Sequence, residues 1–341
     1  MRNKIVLSSY IIFSLAIFGV FFVTPESATA GSSLGNVDTT AIVVRPSNPR
    51  PYQTVELSIE NYSISVDSAL ITWFINGNIV KQGKGERILT TTLGGPGSPF
   101  QVSVILKDLS GNILTKSLNF SPQNVDILYD VDSYTPPFYK GKALYPYQGL
   151  VRVVALADFI DGAGNLISPN NLIYEWWQNN KKSGPGSGYG KKLFAFQGGV
   201  LMDGTTIKVR VTTEDGVNIA ENSIFIEPQS PEVALYENNP LYGLMRNKEL
   251  SSGYSLSGNE IKITAIPYFY STQKATNPSI MTYSWSINNE PIPSAKNKAE
   301  AVFRRVSNGS GNAVISLETT QPTKIYQFST TDMTLSFPEN N

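Results

Sequence analysis

Trp73, Trp176 and Trp285 stand at the same place in three copies of one pattern. Each is followed at +3 and +4 by a pair suited to a tight turn: Asn76-Gly77, Asn179-Asn180 and Asn288-Asn289. Residue −2 is apolar or aromatic each time (Ile71, Tyr174, Tyr283). About fifty residues further on, a strand-like run ends at a proline: Pro122, Pro228 and Pro338. A pattern kept in register over such distances means one supersecondary unit used three times. Asn-Gly is the most favoured pair for a type I′ hairpin, because both central residues need positive φ. The unit is therefore built of β-strands.

The walk along the chain agrees. In the first unit Val55, Leu57 and Ile59 alternate with polar residues, as do Val102, Val104 and Leu106. Such alternation marks strands with one face buried. Val151–Ala155, Leu172–Trp177 and Ile207–Val211 repeat the plan in the second unit, and Ile261–Ala265, Ala301–Phe303 and Val314–Leu317 in the third. Short strands between turn signals, with no helical periodicity beyond the first thirty residues, predict all-β sandwiches. The expected organisation is 1–30 targeting segment, 31–40 flexible lead, and modules at 41–122, 123–228 and 229–341. Pro122–Asn124 and Pro228–Pro231 are short joints whose prolines restrict φ, so neighbouring modules are expected to sit in a semi-rigid line.

A strand carrying Trp-x-x-Asn-Gly, then an alternating strand such as Val102–Leu106 and a hairpin, resembles the C, F and G strands of Ig-like and PKD-like modules. The resemblance covers roughly residues 41–338 and implies a tandem repeat protein of the kind common on bacterial surfaces. In antibody domains the tryptophan packs on a disulfide between strands B and F. This chain has no cysteine, so the resemblance implies that Leu57 and Val104, with their counterparts, fill that space. Such sandwiches host many functions, and the resemblance implies no activity.

Histidine is absent as well as cysteine. That removes an imidazole base, a Ser-His-Asp triad, a thiol nucleophile and thiolate metal sites. No catalytic residue, cofactor or metal is expected. Basic and acidic side chains balance at 27 each with no long run of either sign, which argues against nucleic acid as partner. Arg2 and Lys4, then the apolar stretch from Ile5 to Val23 and the Ala28-Thr29-Ala30 site, read as an export signal. If it is uncleaved, residues 5–23 are the expected membrane contact. The expected partner is a protein or a cell-wall glycan at the envelope.

The repeat tryptophans Trp73, Trp176 and Trp285 are read as core anchors in preference to sugar platforms, since the same position in every copy suits packing. Trp177 breaks the pattern, where the other copies carry Phe74 and Ser286. Side chains alternate along a strand, so if Trp176 points inward Trp177 points outward. Close to Tyr174, to Tyr189 or to the aromatic segment of Tyr134, Phe138, Tyr139, Tyr145 and Tyr147, it is the candidate partner- or glycan-binding patch; the competing reading packs it against a neighbouring module or loop. The Gly-rich run Ser183–Lys192 fails Walker spacing and reads as a flexible loop. Asp161–Asn165 reads as a turn in preference to a calcium loop. Ser271-x-x-Lys274 is treated as coincidence, because it lies between strands.

Overall fold

A computed structural model describes residues 40–61, 65–200, 203–251, 253–272, 281–306 and 309–338. The expectations for residues 1–39 and for Lys274 lie outside them. Among the described residues no helix is long and apolar enough to cross a membrane.

Each repeat is a pair of sheets facing one another. In the first, β1 (Ala41–Arg45), β2 (Thr54–Glu60) and β5 (Ile88–Thr92) form one sheet in the order β1-β2-β5. Opposite lie β4 (Asn78–Lys84), β3 (Leu70–Ile75), β6 (Phe100–Lys107) and β7 (Ile113–Phe120), in that order. The second repeat pairs β8 (Asn124–Val131), β9 (Leu150–Asp158) and β12 (Leu193–Gln197) against β11 (Lys181–Tyr189), β10 (Ile173–Gln178), β13 (Thr205–Thr212) and β14 (Ile219–Ile226). The third repeats this with β15 (Glu232–Asn239), β18 (Glu260–Tyr268) and β21 (Glu300–Arg304) against β20 (Glu290–Pro291), β19 (Thr282–Ile287), β22 (Gly311–Thr320) and β23 (Phe328–Phe337). It adds β16 (Gly243–Glu249) beside β15 and β17 (Tyr254–Ser255) beside β23.

The opening motif is one device used three times. Asn76, Asn179 and Asn288 all adopt positive φ, as do Gly77, Asn180 and Asn289 after them. Each +3 asparagine also clamps the facing strand. Its backbone N–H donates to the carbonyl of Gln101, Thr206 or Val314, and its side-chain Oδ1 accepts from the same residue's N–H at 3.1, 2.9 and 2.9 Å. The tryptophan upstream is fully buried in the first two modules and 2% exposed in the third. Its indole N–H donates to the carbonyl of Glu86 (2.7 Å), Lys191 (2.9 Å) or Lys298 (2.9 Å). A buried indole needs such a partner, because an unpaired N–H away from water is costly.

Three cores follow, one inside each sandwich. Leu57 and Val104 both lie in the core around Trp73, and Val104 is the cross-strand partner of Trp73. Trp176 stacks on Phe194 at 5.4 Å, and Trp285 meets Phe303 edge-on at 6.0 Å.

Two local expectations are corrected. The Gly-rich run is not a loop: Lys181–Tyr189 is the edge strand β11, paired to β10 with a bulge. An edge strand needs ladder bonds on one side alone, and the bulge accommodates Pro185. Nor do the prolines alone hold the second joint. The Asp132–Gly149 connection between β8 and β9 crosses to the third module, where Ser133 bridges Ser271 and Tyr134 exchanges backbone bonds with Tyr270 and Phe269 (both 2.7 Å).

Candidate functional site

The outward face of the β11-β10-β13-β14 sheet carries the residue that departs from the repeat. Trp177 is half-buried, with Lys182 and Lys208 as its cross-strand partners on either side. Their ammonium groups lie 5.7 and 5.0 Å from the indole ring centre, and the Arg210 guanidinium lies at 5.8 Å. Cations over an indole face are attracted by its quadrupole, and their stems cover apolar ring surface. Glu175 pairs with Lys182, while Glu221 pairs with both Arg210 and Lys208. The face is a lattice of ion pairs around one aromatic ring. Register reveals it: the cations lie near Trp177 across the sheet, not along the chain.

Tyr189 is exposed on the same sheet but stands opposite Ile173, at the other end of the ladder. Four residues of strand rise put it about 13 Å from Trp177. One sugar ring cannot lie on both. Tyr134, Phe138 and Tyr139 do not join Trp177 either, which corrects the expected patch. Phe138 meets Tyr236 edge-on at 6.1 Å, with the Arg246 guanidinium 4.8 Å from its ring. Tyr139 meets Tyr268 (5.8 Å) and Phe269 (5.5 Å). Tyr147 meets Tyr326 at 6.4 Å, and Tyr145 is buried in the second core. The physical reason is connectivity: strand β8 ends at the pole facing the third module, so the segment after it lands there. These aromatics cement a joint. In the third module the equivalent Pro240-Leu241-Tyr242-Gly243 is solvent-facing, with Leu241 84% and Tyr242 78% exposed. Asn239 Oδ1 holds that tip by accepting from both N–H groups.

The acidic turns are self-satisfied. Asp161 accepts from the amides of Asn165 (2.8 Å) and Ala163 (2.9 Å), and these bonds, led by Asn165, hold its carboxyl below the usual range. Asp108 is lowered chiefly by the Asn112 side chain, and Asp215 chiefly by the Thr213 hydroxyl. Such acceptor geometry is that of Asx turns. Among the described residues no group of three or more potential metal ligands gathers.

Burial pushes the phenols of Tyr174, Tyr270 and Tyr283 up to about 12. A phenol held neutral by the fold favours the folded state fully below its ordinary value near 10. That contribution disappears as pH climbs through the raised value, because the unfolded state releases its proton first. Stability is therefore expected to be level up to about pH 9 and to fall between about pH 10 and 12. Thermal melts against phenolate absorbance check this; a transition lost well below pH 10 contradicts it.

The order β1-β2-β5 facing β4-β3-β6-β7, kept in the second and third modules, defines a tandem array of Ig-like β-sandwiches. No family model matches the chain, and no curated protein matches it. Among solved structures it is similar to the three N-terminal domains of the highly immunogenic outer capsid protein of bacteriophage RB49. Identity there is 12%, coverage is 89% of this chain and 99% of that one, and the TM-score is 0.25. It is also similar to the central fibronectin-III array of RIM-binding protein (11% identity, 89% and 98% covered, TM-score 0.29). A third is a Bacteroides ovatus glucan-utilization protein in complex with a mixed-linkage heptasaccharide (10%, 85% and 64%, TM-score 0.21). Likenesses at these scores carry no functional inference.

Proposed function

We propose that the chain is a non-enzymatic scaffold of the cell envelope, exported by its N-terminal segment, whose Ig-like modules hold a partner protein through strand edges and loop tips. One observation carries this reading. Phe138, Tyr139 and Tyr147, which sequence alone offers to a ligand patch beside Trp177, are spent on the joint between the second and third modules. What is left facing solvent is the chemistry of contacts between macromolecules: bare tips such as Leu241-Tyr242 and edge strands such as β4 and β11. Exposed strand edges are ready templates for another chain, and apolar tips fit pockets. A glycan reading would have to use Trp177 without Tyr189, on a ring already flanked by three cations.

The test is retention at the envelope by full-length chain and by deletions of residues 41–122, 123–228 and 229–338. At least one deletion is expected to abolish retention and the co-purification of a partner protein. Indifference to every deletion sinks the scaffold reading.

A further inference from the structure

The three sandwiches differ at one seam, where the first strand of each module runs past the last. In the second module the segment at Tyr145-Pro146 lies alongside the end of β14. Pro146 forms a parallel bridge with Gln229, whose N–H donates to the Tyr145 carbonyl at 2.7 Å, and the Tyr145 ring enters the core. In the third module β17 pairs in parallel with β23, matching Tyr254 to Leu335 and Ser255 to Ser336. Leu256 follows, donating to the Ser336 carbonyl at 2.8 Å and burying its side chain in the core. Both modules thus close the outer edge of their last strand with a short parallel segment that inserts apolar side chains.

Among the described residues the first module has no such segment. Its connection from β1 to β2 is residues 46–53, where the others have 132–149 and 240–259. β1 and β7 are outer strands of opposite sheets, and between them opens a groove of about 430 Å³. Ile42, Val44, Leu118 and Phe120 line it, with Val217 and Ile219 of the second module closing one side. Burial records the difference. Aligning the asparagine clamps places Phe120 opposite Ile226 and Leu335, which are 1% and 0% exposed, yet Phe120 is half-buried. Ile42 and Val44 are half-buried too, while Val125, Ile127, Val233 and Leu235 on the matching strands are buried.

We propose that this groove is a docking site for an extended segment of a partner protein, laid parallel to β7 with apolar side chains at alternate positions, as Tyr254-Ser255-Leu256 lies against β23. The chain itself shows what the seam accepts. A strand added there gains main-chain bonds from the β7 edge, and its alternate side chains fill the cleft. The chain's own lead does not fit this pattern, because its apolar residues Leu34 and Val37 are spaced by three. The inference rests on the scaffold reading for its biological setting and gives that scaffold one partner chemistry.

The probe is a fluorescein-labelled peptide of the sequence Leu250–Asn259, titrated by anisotropy against the full chain in mild detergent. Saturable binding is expected. Tyr254→Ser with Leu256→Ser in the peptide, or Leu118→Asp in the protein, is expected to weaken it at least tenfold. A benzoylphenylalanine in place of the peptide's tyrosine should cross-link to β1 or β7 of the unaltered chain, which keeps the test decisive if Leu118→Asp misfolds. Absent saturation, indifference to the substitutions, or cross-links confined to the third module overturn the proposal. So does a dimer dispersed by Leu118→Asp, which gives the groove to a second copy, or binding that appears only once residues 31–39 are removed, which gives it to the lead. A peptide that fails while envelope retention persists removes the groove and leaves the scaffold. The converse result removes the envelope role and leaves the groove.

Discussion

Trp176→Ala is expected to destabilise the second module by about 3–5 kcal/mol, the usual cost of deleting a buried large aromatic. The side chain is fully buried, stacked on Phe194, and bonded through its indole to the Lys191 carbonyl. Removal leaves a cavity in a close-packed core and strands that carbonyl, which holds the turn leading into β12. Trp177→Ala, one residue away, should cost no more than about 1 kcal/mol, since it removes exposed cation–π contacts and partial burial alone. Chemical denaturation of both variants checks the contrast. Equal losses would mean that the lattice around Trp177 supports the sheet as strongly as the core does.

The joint between the second and third modules supplies the next largest effect. Phe138→Ala combined with Tyr139→Ala removes ring contacts to Tyr236, Tyr268 and Phe269 and the Arg246 guanidinium over Phe138. At about 0.5–1.5 kcal/mol for each of the three aromatic pairs and a similar amount for the cation, roughly 2–6 kcal/mol of coupling is lost. The expected result is that the third module melts in a separate, earlier calorimetric transition while the second keeps its own. An unchanged single transition would show that the backbone bonds of Tyr134 and the Gln327–Tyr147 contact couple the modules without the rings.

The sandwiches were legible because their signals are local. A tryptophan, a turn-forming asparagine three residues on and alternating strands all lie within a short stretch, and the turn needs positive φ wherever the module is used. The fate of residues 132–149 was not legible. Aromatics in a connection without alternation look the same whether they face water or a neighbouring module, and only strand direction decides which pole they reach. Strand β11 was hidden for another reason. Glycine and proline are depleted from strands in general, but an edge with a bulge tolerates them, and no local pattern announces an edge. Trp177 is visible in the sequence as the exception to the repeat, but its neighbours Lys208 and Arg210 come from a strand some thirty residues away.

The two joints also differ in kind, and tension along the chain would find the difference. The second is crossed by a whole connection, with the Ser133–Ser271 bridge, backbone bonds at Tyr134 and interlocked rings. At the first, the Gln123 amide trades bonds with both backbone groups of Ile160 (2.9 and 3.0 Å), and Gly97 donates to the Pro122 carbonyl. Under a load pulling the modules apart this joint is expected to open before the second, which single-molecule stretching would record as an extension step preceding loss of the second joint. That joint borders the groove beside β7, so stretching it would widen one wall of the slot and make strand capture responsive to force.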